Sequence, residues 1–424
     1  MSPTPIANPN RRPGRGVAAE EVRRHNLATV LERLHLAGPL SRSDLTTATG
    51  LNRSTIADLV GELSNLGLVE EGPAGTTSGP GRPSPIVSTR PAGAVVLAIE
   101  ISVYSIAVAA VGLGGHVYNK VLISTPRGGY SPQETVERVA KLATPLLHTL
   151  PSDHVLIGVG VAFVGITRRI DGFVHLAPNL VWRNVPLASM LAAALDVTGQ
   201  VLVANDADLG ALAEQRRGVG VGIRNLIYIS GEVGIGTGVI LNGEPLLGSA
   251  GYAGEAGHTM VNPGGEICRC GATGCWETEA GEEALIARAS ALENLSGLAA
   301  LDAIARRAQQ GDRKTLDGIA EVGWWLGRGI GNLINIFNPE QVVLGGFYHR
   351  LFPFLQESVV EGAHERALEA PWEMVEIKAS GLGPDSLLIG ASELAFGHLI
   401  SDPARYAGVS ISKPAMKEEL SAGS

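Results

Sequence analysis

The sequence predicts an α/β protein that consists of a small helical head and a larger body with two similar lobes. The first ninety positions carry apolar residues at helical spacing. Behind them, paired strand-like runs occur at 94–111 and again at 226–241, which suggests a duplicated lobe. Glycine accounts for 55 of the 424 residues, and this abundance suits the tight turns between α/β elements.

The first half of the head predicts two helices with apolar faces. The segment EEVRRHNLATVLERLHLAG ends at Gly38-Pro39 and repeats leucine and valine at helical spacing. The positions on its apolar face are Leu27, Val30, Leu31 and Leu34. Ser41 then begins a second helix, in which Asp44 gives an imperfect capping box and Leu45 and Ala48 face inward.

A third helix, NRSTIADLVGELSNLG, follows a tight turn around Gly50, which is the order of a helix-turn-helix. Its buried face is formed by Ile56, Leu59, Val60, Leu63 and Leu66. Its first residues, Arg53, Ser54 and Thr55, are expected to face the base edges of DNA. The segment LVEEGPAGTTSGPGRPSPIV predicts a β-wing, with Arg82 placed to enter a minor groove. The alternative is an ordinary helical cap on the body.

The charge balance differs between the two parts. Residues 1–90 hold ten Lys and Arg and eight Asp and Glu, a net +2, while the remainder holds 23 and 34, a net −11, which together give −9. An acidic body with a slightly basic head is expected for a small DNA-binding module on a larger sensor, although +2 alone decides little. The distal part of the Gly-, Pro-, Ser- and Thr-rich region 72–93 is expected to be a linker.

All three cysteines, Cys268, Cys270 and Cys275, lie within the short stretch ICRCGATGCWE. A cytoplasmic chain keeps its thiols reduced, and three is an odd number for a disulfide framework, so this cluster favours a metal site. A structural zinc takes four N or S ligands, and His258, ten residues before Cys268, offers the fourth across an NPGG turn. We therefore predict one structural zinc per chain, with three free thiols and a core histidine as the alternative.

A zinc at this position would bring Glu255, His258 and Glu277 together. One imidazole nitrogen can bind the metal while the other donates to a ligand, and two carboxylates beside it suit a ring of hydroxyls. In VLVANDADLGALAEQ, a short apolar strand ends in Asn205-Asp206 before an alanine-rich helix, where α/β folds place ligands. We predict ligand contacts there, the alternative being that Asp206 only caps the helix.

These segments closely resemble the signature sequences of the ROK family, which groups sugar kinases with sugar-responsive repressors. The resemblance is most specific in GEAGHTMVNPGGEICRCGATGCWE and covers roughly residues 94–400, including ANDADLGALAE, NLINIFNPEQVVLGG and GPDSLLIGASELA. It implies an actin-like, ribonuclease-H-like core of two lobes with a sugar in the cleft. By motif position, it implies sugar contacts from Asn205, Asp206, Glu255, His258 and Glu277, and zinc ligation by His258, Cys268, Cys270 and Cys275.

Two departures from the family pattern distinguish kinase from repressor. ROK kinases hold ATP phosphates with an Asp-x-Gly-Gly-Thr turn, whereas this chain has Glu100-Ile101-Ser102-Val103-Tyr104-Ser105. The β-branched residues resist the backbone geometry of a phosphate cradle, and the tyrosine adds bulk at the threonine position. In SGEVGIGTGVILNG, Glu232-Val233 stands where kinases carry Gly-Thr. Although Asp206 occupies the catalytic-base position, we expect a sensor without catalytic residues rather than an enzyme.

The sequence therefore predicts a cytoplasmic, sugar-responsive repressor of carbohydrate uptake or catabolism genes, with a degenerate ATP site. We expect a homodimer or homotetramer that binds operator DNA with an inverted repeat, takes a small sugar as effector and does not associate with a membrane. The alternatives are a ROK-type sugar kinase that carries the head, and a regulator that is repositioned by a partner protein rather than by sugar.

The expected division of the chain has six segments. They are a flexible arm at 1–19, the winged helix-turn-helix at 20–90, a first lobe at 91–204, a second lobe with the zinc site at 205–385, a terminal helix at 386–401 that returns to the first lobe, and a disordered tail at 402–424.

Overall fold

The computed structural model describes residues 15–73, 84–197, 200–289 and 295–406. Its head contains three helices and a small antiparallel sheet of order β1-β3-β2, in which β2 and β3 form a wing. These elements are α1 (Arg15–Ala37), β1 (Leu40–Ser41), α2 (Arg42–Thr49), α3 (Arg53–Asn65), β2 (Val69–Gly72) and β3 (Ile86–Thr89). The head therefore has the winged helix-turn-helix order that the sequence predicts.

Local sequence signals account for most of the head. The capping box of α2 is complete, because Ser41 Oγ accepts from the Asp44 backbone N–H and Asp44 accepts from the Ser41 N–H, each at 3.1 Å. The predicted apolar faces of α1 and α3 are buried, with Leu66 partly so. Ala48 is exposed, contrary to expectation, because the two turns of α2 bury only Leu45.

The first lobe is built on a five-stranded sheet of order β11-β7-β4-β5-β6. Strands β11, β7 and β4 are parallel, whereas β5 and β6 continue the sheet in antiparallel pairing. The elements of this lobe are β4 (Val95–Ile101), β5 (Ser105–Gly112), β6 (His116–Ser124), α4 (Pro132–His148), β7 (Leu156–Phe163), β8 (Ile166–Arg168), β9 (Phe173–Ala177), β10 (Trp182–Val185), α5 (Leu187–Leu195) and β11 (Gln200–Asn205).

Helix α6 (Asp206–Arg217) leads into the second lobe, whose sheet has the order β14-β13-β12-β15-β16. The elements of this lobe are β12 (Leu226–Gly231), β13 (Ile235–Leu241), β14 (Glu244–Pro245), α7 (Trp276–Ala280), α8 (Glu282–Ala289), α9 (Gly297–Gln309), α10 (Arg313–Phe337), β15 (Gln341–Gly346), α11 (Phe347–His364), α12 (Glu369–Trp372) and β16 (Glu376–Ala379). The last described α-helix is α13 (Ser386–Ser401).

The two lobes share one topology. In each, a central strand, β4 or β12, has two parallel strands on one side and an antiparallel hairpin on the other. The paired runs that the sequence shows at 94–111 and 226–241 are the central hairpins of these sheets. This duplication confirms the predicted two-lobed, actin-like α/β fold.

Helix α13 and the head both pack on the first lobe. Helix α13 lies against β4, β7 and α6, and it approaches so closely that a Cβ at Gly160 would collide with the carbonyl of Ala391. The buried side chains of the head, one face of the first sheet and α13 form a single apolar cluster. The head is therefore part of the same packed unit as the body.

Three expectations about chain segments need correction. Helix α1 begins at Arg15, inside the expected arm 1–19, because the run Val17–Glu21 consists of residues compatible with a helix. The distal part of 72–93 is not a free linker, because beyond the wing strand β3 the residues Pro91–Gly93 form a 3-10 turn that buries Ala92. Residues Pro403–Tyr406 form a 3-10 turn rather than disordered tail, because Pro403 and its neighbours pack beside α1.

No helix among the described residues is long and apolar enough to cross a membrane.

Candidate functional site

A cleft of about 590 Å³ lies between the two lobes. Its walls come from the segment after β7 in the first lobe, from the start of α6, and from the β12–β13 turn and the region 255–288 of the second lobe. All five predicted sugar-binding residues, Asn205, Asp206, Glu255, His258 and Glu277, line this cleft. The structure therefore brings together side chains that lie up to 72 positions apart in the sequence.

Asn205 and Asp206 occupy the junction of β11 and α6. Asn205 caps the helix, because its Oδ1 accepts from the backbone N–H groups of Ala207 at 2.9 Å and Asp208 at 3.3 Å, while its Nδ2 donates to the Gly165 carbonyl at 3.2 Å. Asp206 is 7% exposed and accepts from the Ala207 N–H through Oδ1 at 2.9 Å. Since Asn205 supplies the cap, the capping alternative does not account for Asp206.

The environment of Asp206 is unfavourable for a negative charge. Burial raises the pKa of Asp206 to about 7, and the charge of Glu255 adds to this effect, while the hydrogen bond from Ala207 opposes it. Burial also raises the pKa of Glu255, and His258 opposes that shift. Near neutral pH the Asp206 carboxyl group can therefore offer a donor as well as acceptors to hydroxyl groups.

His258 and the three cysteines form a compact set of ligand atoms. One ligand atom from each of His258, Cys268, Cys270 and Cys275 lies within 4.8 Å of the other three. Cys268 Sγ is 3.7 Å from His258 Nδ1, and Cys270 Sγ is 3.6 Å from Cys275 Sγ. A tetrahedron with metal–sulfur bonds of about 2.3 Å has edges of about 3.8 Å, so these separations fit a zinc-sized ion.

Backbone pairing holds this cluster, which we call the knuckle (residues 258–277), in place. The Cys268 N–H donates to the Ala272 carbonyl at 2.7 Å, and the Val261 N–H donates to the Gly274 carbonyl at 2.9 Å. Gly274 has φ of +70° and lies so close to the carbonyl of Asn262 that a Cβ would not fit. The knuckle sets Glu277 Oε1 3.4 Å from His258 Nδ1, which leaves the other imidazole nitrogen, Nε2, available to a ligand.

In the turn between β4 and β5, where the family resemblance places the kinase phosphate turn, two backbone N–H groups are bonded within the turn. The Ser102 N–H donates to the Ser105 carbonyl at 3.0 Å, and the Tyr104 N–H donates to Ser102 Oγ at 3.4 Å. Val103 is fully buried. Tyr104, in the first lobe, donates its hydroxyl to both carboxylate oxygens of Glu282 in the second lobe, at 2.9 and 3.0 Å, so this bond joins the two lobes.

The turn between β12 and β13 carries Glu232, whose side chain is half-buried. Glu232 lines the cleft, its Oε2 has no hydrogen-bond partner among the described residues, and its backbone N–H donates to the Gly234 carbonyl at 3.1 Å. Burial, followed by the charges of Asp206 and Glu100, raises the pKa of Glu232 well above its usual range. Burial likewise raises the pKa of Glu100 to about 7, while Lys120 opposes the shift.

The predicted DNA-reading residues lie at the start of α3. Asn52 caps this helix by accepting from the Thr55 N–H at 2.9 Å, and Ser54 Oγ donates to Asn52 Oδ1 at 2.7 Å. Arg53 is exposed and forms no ion pair with the described part of the chain, whereas Arg23 and Arg42 pair with glutamates of the head. Arg82, predicted at the tip of the wing, lies outside the described residues.

Sequence reasoning missed a buried polar contact between the head and the body. Glu393 of α13 accepts from His35 Nε2 at 3.1 Å, from Arg217 Nε at 2.5 Å and from Arg216 at 3.3 Å. The Gly114 N–H donates to His35 Nδ1 at 2.9 Å, and Arg217 Nη2 lies 2.7 Å from His35 Nε2. Burial alone would raise the pKa of Glu393, but His35 and the two arginines lower it to about 2. No local pattern links residues so far apart in the chain.

Comparison with known proteins gives matches along most of the chain. A family model described as ROK family matches residues 96–397. The xylose repressor of Caldicellulosiruptor bescii is 30% identical over 384 residues, which cover 86% of this chain and 93% of the repressor. A solved ROK family transcriptional regulator, described as a homolog of the E. coli MLC protein, has a TM-score of 0.73 at 26% identity and covers 90% of this chain and 97% of its own.

A kinase structure matches a smaller share. The ROK family glucokinase from Streptomyces griseus, solved with glucose and AMPPNP, has a TM-score of 0.62 at 26% identity and covers 72% of this chain and 99% of its own. The part of the chain from residue 96 onward makes up 329 of 424 positions, or 78%. The matches to the two regulators cover 86% and 90% of the chain, so both must include part of the head. Because the family model spans most of the chain and the site residues occupy its cleft, the chain belongs to the ROK family.

Proposed function

We propose that this chain is a sugar-responsive DNA-binding transcriptional regulator that represses genes of carbohydrate uptake or catabolism. One observation carries the proposal: a cleft lined by polar side chains suited to a sugar is packed in one unit with a winged helix-turn-helix head. The similarity to a xylose repressor over most of both chains supports this choice and makes D-xylose the first effector to test.

The nucleotide side of the cleft argues against the kinase alternative. A phosphate cradle needs converging backbone N–H groups that are free to bind an anion. In the β4–β5 turn those of Ser102 and Tyr104 are already used, and the Tyr104 side chain is bonded to Glu282 of the second lobe. Asp206 can hold a proton near neutral pH, but without a bound phosphoryl donor it has no group to transfer.

The metal would stabilise the ligand side of the cleft. His258, Cys268, Cys270 and Cys275 would hold one structural zinc, whose chemistry there is to fix four side chains in a tetrahedron. Held in this way, His258 would keep Nε2 directed at a ligand, and Glu277 would remain beside it. The hydroxyl groups on the side of the sugar away from His258 would be bound by Asn205, Asp206 and Glu255.

The head would read DNA through the start of α3. Arg53, Ser54 and Thr55 would face base edges in the major groove, and Arg82 at the wing tip would enter the adjacent minor groove. A homodimer or homotetramer would present two heads, so the operator is expected to be an inverted repeat. Since the head is docked on the body, sugar binding would act on it through direct contacts rather than through a free linker.

Two assays test the proposal against the kinase alternative. In the first, ATP, magnesium and D-xylose or D-glucose are incubated with the chain, and no sugar phosphate above background is expected. Turnover near the typical enzyme rate of about 10 s⁻¹ would support the kinase reading instead.

The second assay measures operator affinity after selection of the operator from random duplexes. Replacement of Arg53 with alanine is expected to cost about 1–3 kcal/mol and to relax base preference at one position per half-site. Arg313→Ala, at the exposed start of α10 in the second lobe, removes the same charge far from α3 and serves as the control. Equal effects of the two substitutions would reject the assignment of α3 as the reading helix.

A further inference from the structure

Glu232 is a feature of the cleft that neither sugar binding nor the metal site requires. It lies on the β12–β13 turn, it is half-buried, and one of its carboxylate oxygens is shielded from solvent and has no partner among the described residues. It also lines the cleft beside Asp206 and Ser230. A buried polar atom without a partner costs free energy, so its presence at a binding surface calls for an explanation.

The surroundings of Glu232 are strongly acidic. Seven carboxylates and two arginines line the cleft, which gives a formal charge of −5 with histidine neutral. Neither arginine is free, because Arg269 pairs with Glu283 and Arg288 pairs with Glu279. Glu100 and Glu282, which do not line the cleft, lie close enough to Glu232 for their negative charges to raise its pKa.

Three backbone N–H groups near Glu232 are already bonded within the chain and are therefore not available to an anion. The Glu232 N–H is bonded to the Gly234 carbonyl, and the neighbouring β4–β5 turn has used the N–H groups of Ser102 and Tyr104. The surroundings already oppose ionisation of the carboxyl groups, since burial and mutual repulsion raise the pKa of Glu232, Asp206 and Glu100. A phosphate group, with up to two negative charges, would be opposed for the same physical reasons.

We propose that Glu232 makes this cleft selective for uncharged sugars and excludes sugar phosphates and nucleotides. The inference rests on the proposed sugar-sensing function and narrows its effector to an unphosphorylated sugar. Glu232 acts as a specificity-determining residue: its side chain fills the place where a phosphate would need space and donors, and it provides an acidic group instead.

Calorimetric titration of the full chain tests the proposal. The probes are D-xylose, compared with its 1-phosphate, and D-glucose and N-acetyl-D-glucosamine, each compared with its 6-phosphate, together with AMPPNP, all at pH 8. Unit charges at close range near a protein surface interact by several kcal/mol, so each ester is expected to bind at least about 100-fold more weakly than its parent sugar. An ester that binds as tightly as its parent would overturn this inference but leave the sugar sensor standing.

Substitution identifies the residue responsible. Glu232→Ala removes the carboxyl group and opens space, so the ratio of ester to parent dissociation constants is expected to fall at least about tenfold. Glu244→Ala, at an exposed position of β14 that does not line the cleft, also removes one acidic side chain and is expected to leave the ratio within about twofold, because exposed charges are screened. Equal ratios in wild type and Glu232→Ala would reject Glu232 as the determinant.

Failure of the sensor itself is recognisable in the same titrations. If no parent sugar and no ester binds to the wild-type chain, the proposed sugar-sensing function fails and this inference fails with it. If a parent sugar binds and its ester does not, both stand, and the Glu232→Ala ratio then decides whether Glu232 is the cause.

Discussion

At the scale of single residues, the buried carboxyl of Glu100 should make stability depend on pH. Glu100 is 8% exposed, and its pKa rises from 4.5 to about 7 on folding, mainly through burial. The folded chain therefore binds more protons than the unfolded chain between these values. This contribution to stability is fully present below pH 4.5 and is lost as the pH rises through 7.

Replacement of Glu100 with glutamine removes this proton uptake. Between pH 5 and pH 8 the free energy of unfolding in urea should fall more for wild type than for Glu100→Gln. We expect the difference between the two to reach up to about 3 kcal/mol. Glu244→Gln, at an exposed position of β14, should unfold with the wild-type pH dependence. Parallel pH profiles for wild type and Glu100→Gln would show that Glu100 is not the titrating group.

How well a site residue could be predicted from the sequence depended on how close its partners lie in the chain. His258 and the three cysteines lie within eighteen positions, so spacing and ligand chemistry were enough to predict their grouping, which the structure shows. The bond between Tyr104 and Glu282 joins residues 178 positions apart, and no local pattern points to it. The sequence showed Glu232 as a departure from the family, but its lack of a partner appears only in three dimensions.

At the scale of elements, the knuckle depends on its ligand set more than on packing. Within the loop 262–273 of the knuckle only Cys268 is buried, and Cys270 is exposed, so little apolar burial holds this loop. Elemental analysis should find about one zinc per chain, and Cys268→Ala should lose the metal and lower the unfolding temperature. Ile267→Ala, at an exposed neighbouring position, should keep both. Full zinc content in Cys268→Ala would exclude the predicted ligand set.

Element prediction succeeded where capping and periodicity act locally. The capping box at Ser41 and the apolar repeat of α3 predict two helices of the head, and both form. The predicted wing segment ends at Val87 in β3, whereas the expected linker beyond it is ordered, because Ala92 is buried in the 3-10 turn Pro91–Gly93. Similarly, the turn Pro403–Tyr406 is ordered by contact with α1, which the local sequence does not show.

At the scale of the whole molecule, α6 connects the cleft with the head. Its first residue, Asp206, lines the cleft, and its last, Arg217, donates to Glu393 and to the carbonyl of His35. Twelve helical residues span about 18 Å, so a displacement at one end would be carried rigidly to the other. Sugar binding is therefore expected to change the contacts through which Arg217 holds the head against the body.

Arg217→Met tests this route, because it keeps a long side chain but removes the bonds to Glu393 and His35. The effect of sugar on operator affinity should fall by at least about fivefold, whereas sugar affinity measured without DNA should remain near wild type. Arg183→Met, at an exposed site on β10, is the matched control. An unchanged sugar effect in Arg217→Met would place the coupling elsewhere.

The central claim, that one chain senses an unphosphorylated sugar and controls DNA binding, is tested most directly by operator titration with and without D-xylose, followed by fluorescence anisotropy at one salt concentration without ATP. We predict that the sugar changes the wild-type dissociation constant by about 5–150-fold. Asp206→Ala should bind the operator as wild type does without sugar and lose the sugar response, because Asp206 acts only through contacts with the ligand. A folded Asp206→Ala protein that fails to bind DNA, or that keeps the full sugar response, would contradict the account.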